Sequence, residues 1–177
     1  MSDAVEVCAV VDPVAHEGRD PVPVAPPLGD LAGKRVVVLD ITKVRSEAFA
    51  AEVRRRLAQA VGAEVDGGVV MPAQRMSDEE LERVAGSCDG AVLTLADCGT
   101  CTTWTAWDAI ELHRRGCRAV LVTTEALRPM LGALVGRLGM ADLPLVAVPQ
   151  PNRDQTVEEI AATAAAAVPA IVRALAG

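Results

Sequence analysis

From residue 34 onward, short apolar runs alternate with segments of helical periodicity. Arg35-Val36-Val37-Val38-Leu39-Asp40 is apolar between charged ends, the pattern of a strand buried on both faces. Over 46–61, Phe49, Val53, Leu57 and Val61 recur at every fourth position and predict a helix. A second strand is expected over 64–71. Ser77-Asp78-Glu79-Glu80 reads as a capping box opening a helix that runs to about residue 85. Gly90-Ala91-Val92-Leu93-Thr94-Leu95 forms a third strand, followed by a helix over 102–115 that stops at Gly116. A fourth strand over 118–123 leads to a helix over about 127–138, with Leu131, Leu134, Val135 and Leu138 on one face. A fifth strand covers 145–148. The last helix starts near Thr156, with Glu159 completing a capping box, and Pro169 is expected to kink or break it.

This alternation predicts one α/β domain over 35–177: a doubly wound, flavodoxin/Rossmann-like three-layer fold with a five-stranded parallel sheet in the order 2-1-3-4-5. Residues 1–34 form a separate unit, a short N-terminal edge strand over 5–11 and then a proline-rich stretch. Pro13, Pro21, Pro23, Pro26 and Pro27 make that stretch an extended arm or linker rather than part of the core. No internal repeat is visible.

Composition narrows the function. The chain has 177 residues, 51% of them apolar, enough for a core without metal or disulfide staples. Its net charge is −7, from 17 Lys+Arg against 24 Asp+Glu, with no basic run. That balance argues against nucleic-acid backbones and anionic lipid as partners. No uninterrupted apolar run approaches the roughly 18–20 residues that span a bilayer, and the acidic start lacks a signal-peptide n-region, so the expected setting is the cytoplasm. There, cysteines stay reduced unless they do redox work.

The five cysteines, Cys8, Cys88, Cys98, Cys101 and Cys117, are odd in number and irregular in spacing, which is no disulfide framework. Cys98-Gly99-Thr100-Cys101 joins the third strand to the next helix. A helix N-terminus offers unpaired N–H groups and partial positive charge, which stabilise a thiolate, and the thiolate is the nucleophile. A second thiol three residues on can resolve a mixed disulfide or a sulfenic acid. The Cys98 thiol is therefore expected to ionise moderately below the free value of about 8.5, and Cys101 above Cys98. Thr100, Thr102 and Thr103 add hydroxyls for capping or for holding a ligand, and Trp104 is placed to wall a pocket or to fill core. In the 2-1-3 order, ligands bind beyond the carboxyl ends of the strands. Asp40 and Lys43 follow strand one, Thr124 and Glu125 follow strand four, and Gln150 follows strand five, all on that edge. Cys88 and Cys117 precede strands three and four, so they fall on the opposite edge as small buried, inert residues. His16 and His113 read as solvated bystanders. Gly67-Gly68 is too short a signal for a phosphate loop.

These residues carry a resemblance. The sequence resembles the UGSC family, named for a Sec-Gly-Ser-Cys motif whose first position is cysteine in some members. Besides Cys98-Gly99-Thr100-Cys101, the family pattern is matched by Asp97, Thr102, Trp104, Asp108-Ala109-Ile110, Arg115-Gly116 and Thr124-Glu125. It is also matched upstream by Gly33-Lys34, Leu39-Asp40 and Lys43, and downstream by Val148-Pro149 and Pro151. The resemblance implies redox or strong-nucleophile work at Cys98. The motif is similar to one in the B component of glycine reductase complexes, where a selenol attacks an activated carbon. This sequence departs from that pattern in three places: cysteine replaces selenocysteine at Cys98, Thr100 replaces serine, and Gln150 stands where histidine is expected.

The resulting expectation is a thiol-dependent oxidoreductase or carbon–sulfur bond enzyme without a cofactor. Cys98 is the nucleophile and Cys101 the resolving or acid thiol. Asp40, Lys43, Gly99, Thr100, Thr102, Thr103, Trp104, Asp108, Thr124, Glu125 and Gln150 are candidates for substrate binding or proton transfer. Its partners would be a small-molecule substrate and a thiol reductant or partner subunit, with room for a homo-oligomer. The rival reading is a non-catalytic subunit or metal-binding module in which the cysteine pair ligates copper or zinc with a partner; the lack of a second CxxC or a His pair speaks against a complete zinc site within the chain.

Overall fold

A computed structural model describes residues 20–70, 74–149 and 155–177. The elements are β1 (Arg35–Asp40), α1 (Ser46–Val61), β2 (Glu64–Val69), α2 (Asp78–Ser87), β3 (Gly90–Ala96), α3 (Gly99–Arg114), β4 (Arg118–Thr124), a 3-10 turn (Glu125–Leu127), α4 (Arg128–Arg137), β5 (Leu145–Val148) and α5 (Val157–Ala176). All strands are parallel and ordered β2-β1-β3-β4-β5.

Alternation along each strand divides the core in two, because successive side chains leave a strand on opposite faces. Val37, Leu39, Ala91, Leu93, Ala119 and Leu121 face α2, α3 and α4. Val36, Val38, Val92, Val120 and Val122 face α1 and α5, where Phe49, Val53, Leu57, Ile160, Ile171 and Leu175 are buried. Both faces are thus covered, as uniformly apolar parallel strands require. The capping boxes at Ser77/Glu80 and Thr156/Glu159 are formed.

Three expectations are corrected. The helix after β3 begins at Gly99 rather than at residue 102, which puts Cys98 at its N-cap. Pro169 does not break α5, which runs unbroken to Ala176. Pro169 lies on the exposed face, so water can reach the carbonyl it leaves unpaired, while Ala164, Ala167, Val168 and Ile171 hold the helix to the sheet. By length and composition α5 could also cross a bilayer, although it holds no uninterrupted apolar run of 18 residues. Its apolarity is mostly alanine, and Ile160, Ala164, Ile171 and Leu175 are spent on the core.

The third correction joins the arm to His113. The described part of the arm, residues 20–34, has no regular secondary structure, yet Val22, Ala25 and Leu31 are buried. Its backbone is held at the amino edge of the sheet: Val22 N–H donates to the Gly139 carbonyl at 2.8 Å and Leu28 N–H to the Leu175 carbonyl at 3.0 Å. Gly90 lets the arm and α5 close in, since a Cβ there would meet Leu28 at 2.9 Å and Leu175 at 3.1 Å. His113 is buried, not solvated. Its Nδ1 accepts from Ala25 N–H at 3.0 Å, which fixes the tautomer so that Nε2–H donates to the Ala119 carbonyl at 2.9 Å. Arg118 Nη1 adds a bond to the Ala25 carbonyl at 2.8 Å. The described part of the arm is therefore packed into the core. The edge strand expected over 5–11, like Cys8 and His16, lies outside the described residues.

His113→Ala should destabilise the protein by about 2–4 kcal/mol, because it leaves the Ala25 N–H and the Ala119 carbonyl buried without partners and opens a cavity beneath the arm. Urea unfolding of the two proteins checks this; a loss under about 0.5 kcal/mol, the usual range of a surface change, would contradict it.

Candidate functional site: a capped thiol facing a lysine

β3 and β4 keep register from Gly90/Arg118 to Leu93/Leu121 and slip before Ala96/Thr123. The slip re-aims the end of β3, and two residues later the chain enters α3. Cys98 has extended dihedrals (φ −142°, ψ 158°), and its sulfur accepts the Cys101 N–H at 3.4 Å. Its carbonyl accepts Thr102 N–H at 2.9 Å. Sulfur thus takes the place of the serine or threonine oxygen that usually caps a helix. The first turn of α3 holds no acidic residue, and the positive end of the helix dipole faces the sulfur.

The β1–α1 loop approaches from the other side. One Asp40 carboxylate oxygen accepts Thr42 N–H at 2.8 Å and the Ser46 hydroxyl. Ser46 Oγ accepts Lys43 N–H at 2.7 Å, Thr42 Oγ1 donates to the Val70 carbonyl at 2.9 Å, and Arg45 donates to the Gln155 carbonyl. Thr42 and Arg45 hold left-handed conformations, φ 56° and 58°, which non-glycine residues adopt at a cost and only where surroundings impose them. The pinned loop carries Lys43 to the thiol, with Nζ 3.4 Å from Cys98 Sγ.

The electrostatics follow from this placement. Burial opposes ionisation of Cys98, but hydrogen bonds from the Cys101 thiol and N–H, together with the Lys43 ammonium, outweigh it and lower its pKa. Cys101 moves the other way: it is buried, and its S–H is committed to the Cys98 sulfur, so its pKa is raised although Lys43 pulls it down. Lys43, hydrogen-bonded first to Cys101 and then to Cys98, is held in its charged form. The outer thiol is the more acidic one, and it is the half-exposed one; Cys101 is buried.

The remaining candidates separate into those at the thiols and those elsewhere. Gly99 and Thr100 are exposed beside Cys98. Thr102 Oγ1 and Asp97 Oδ1 are buried without a partner among the described residues. Thr103 Oγ1 bonds back to the Gly99 carbonyl at 2.9 Å and serves the helix. Trp104 is half-buried and Thr124 buried, while Glu125 is exposed and 3.8 Å from Arg128. Asp40 acts on the loop that presents Lys43. Asp108 is two turns along α3 from Cys101, about 10 Å by helical rise, and accepts Met76 N–H at 3.1 Å. Its side chain is committed to the segment before α2. Gln150 lies outside the described residues. The sequence reading passed over Ser46, which orients the loop, and Met130, whose sulfur is 4.0 Å from the position of a Gly99 Cβ and brings α4 to the rim. Among the described residues no group of three or more His, Cys, Asp or Glu side chains is disposed to hold a metal.

A profile of the UGSC family matches residues 9–177, nearly the whole chain. The chain belongs to the UGSC family. The match takes in the Cys98–Cys101 motif, the Lys43 loop and the segment from Asp97 to Glu125 of this UGSC protein. No match is found among the curated proteins. Among solved structures it is similar to a diflavin flavoprotein A3 from Nostoc sp. (16% identity, 81% of this chain and 96% of that one, TM-score 0.45). It is also similar to the flavodoxin-like domain of a Synechococcus sp. protein (15% identity, 78% and 99%, TM-score 0.39). A third is the Flv1 flavodiiron core from Synechocystis sp. PCC6803 (13% identity, 82% and 37%, TM-score 0.39). Nothing about the chemistry of the UGSC protein follows from these neighbours.

Lys43→Met should slow alkylation of Cys98 at pH 7 by about five-fold, the effect of losing roughly 1 kcal/mol of a partly exposed charge pair. Iodoacetamide labelling followed by peptide mass spectrometry reads this; an unchanged rate would show that Lys43 does not activate the thiol.

Two buried groups on α3 give opposite pH dependences of stability. Burial pushes Asp108 up to about 7, so the stability it contributes is full below its unfolded value near 3.8 and is lost as pH rises through 7. Burial holds His113 down to about 4, so its contribution is full above 6.5 and is lost as pH falls to 4. Between pH 4 and 6.5 the two slopes oppose. Asp108→Asn should therefore unmask the histidine: the variant's stability should fall by about 3 kcal/mol from pH 6.5 to 4, against a flatter wild type. Unfolding midpoints measured across that window decide it, parallel curves being the contrary result.

Proposed function

We propose that this UGSC protein is a cysteine-dependent enzyme acting on a small metabolite in a reducing compartment. In this reading the Cys98 thiolate attacks an electrophilic sulfur, oxygen or carbon atom. With a disulfide substrate, Cys98 Sγ bonds to one sulfur and the other leaves as a thiolate. Cys101 then gives up its proton and attacks Cys98 Sγ, releasing the second half as a thiol and leaving a Cys98–Cys101 disulfide for an external thiol to reduce. With a carbon electrophile, a thioether forms at Cys98 and the Cys101 proton goes to the leaving group. The observation that carries the reading is the convergence of the Lys43 ammonium and the Cys101 N–H, each at 3.4 Å, on one half-exposed sulfur. The buried Cys101 thiol beside it supplies the second function. Thr100, Thr102 and Asp97 are the polar groups available to a bound substrate, and Met130 and Trp104 the apolar ones.

The test is labelling and trapping in three proteins. Wild-type Cys98 should alkylate at neutral pH roughly ten-fold faster than an unactivated thiol. Given a low-molecular-weight disulfide, Cys101→Ser should accumulate a mixed disulfide on Cys98, wild type should pass on to the internal disulfide, and Cys98→Ser should do neither. Labelling of Cys98 no faster than a free thiol overturns the assignment. Tight metal uptake that removes both free thiols would instead support the binding-module reading.

A further inference from the structure

At the opposite edge of the sheet from Cys98, two more thiols meet. Cys88 caps the end of α2 and Cys117 follows α3, one residue before β4. β3 and β4 pair Gly90 with Arg118, which sets the two approaches side by side. The sulfurs are 3.7 Å apart, with Cys88 8% and Cys117 2% exposed. Cys88 S–H donates to the Val84 carbonyl at 3.2 Å, so the short sulfur–sulfur contact is a donation from Cys117 to Cys88. That bond favours ionisation of Cys88 and opposes that of Cys117, even though burial works against both.

We propose that Cys88 and Cys117 are a second dithiol, oxidised by small hydroperoxides to a disulfide that closes the base of the β3–α3 unit carrying Cys98. The pair is buried as expected of it, and shielded from bulky reagents, but each sulfur lies within reach of the other. The Cys88 thiolate attacks one oxygen of the hydroperoxide, breaking the O–O bond; the alkoxide or hydroxide leaves with a proton and Cys88 becomes a sulfenic acid. Cys117 Sγ then attacks Cys88 Sγ, and hydroxide departs with the Cys117 proton as water. Overall, two thiols and one hydroperoxide give one disulfide, one alcohol or water, and one further water. The cross-link joins residues 29 apart. It encloses β3 and all of α3, so it ties together the two ends of the element that positions both outer thiols.

This proposal does not depend on the reading of Cys98, and its test removes that site. Full-length protein carrying Cys8→Ser, Cys98→Ser and Cys101→Ser keeps only the pair. Hydrogen peroxide should remove both thiols and two mass units, yield a Cys88–Cys117 cross-linked peptide, and raise Tm by roughly 5–10 °C, reversibly with dithiothreitol. Adding Cys117→Ser should abolish the cross-link and the rise in Tm. Two thiols surviving excess peroxide, two added oxygens on Cys88 in place of a cross-link, a cross-link forming only in urea, or an unchanged or lower Tm would each overturn it.

Discussion

The sulfur of Cys98 caps α3, and the rest of the site depends on that one contact. A helix start needs an acceptor for its free N–H groups, and here the acceptor is also the atom to which the proposed function gives the nucleophilic role. The helix therefore cannot begin in register without aiming the sulfur at its own positive end. Two residues separate Ala96 from Gly99, so the strand end and the sulfur move as one. What reaches the thiol from outside must come from a neighbouring strand's loop, and β1 pairs directly with β3.

That neighbour relation explains why Lys43 and not a closer residue in sequence completes the site. The β1–α1 loop is held by Asp40, Ser46, Thr42 and Arg45. Two left-handed residues in five positions would be costly in a free loop; the bonds to Val70 and Gln155 make them the accessible geometry here. Asp40 thus works one step away from the chemistry, by fixing the backbone on which the lysine stands.

The fold was legible in the chain because both periodicities were clean: four-residue spacing in α1, unbroken apolar runs in β1, β3 and β4, and the switch point that follows from their order. The thiol pair was legible as well, through CxxC at a strand–helix junction and the UGSC resemblance. Its long-range partners were not. His113 looks like a late helical residue from sequence, and only the arm folding back to Ala25 gives its ring two partners. Asp108 shares the motif segment with Cys98, but two helical turns carry it to a different neighbour. The 3.7 Å approach of Cys88 to Cys117 depends on β3–β4 register, which hydrophobic pattern does not encode.

A lysine as counter-ion has chemical consequences that a histidine would not share. An imidazolium loses its charge near pH 6.5, within the range where a mildly acidified thiol is itself titrating. Lys43, held charged by both sulfurs, keeps its attraction for the thiolate across that range. The pair is only partly shielded from solvent, so this attraction is modest, and the Cys101 S–H and the N-cap hydrogen bond add to it. These donors together lower the thiol's pKa despite its burial. Under the proposed function this lowering has two opposed effects: it raises the thiolate fraction, while intrinsic nucleophilicity falls as pKa falls. In the proposed reaction one cation, one capping N–H and one neighbouring thiol would act together on the Cys98 sulfur, with the proton for the second step held on Cys101.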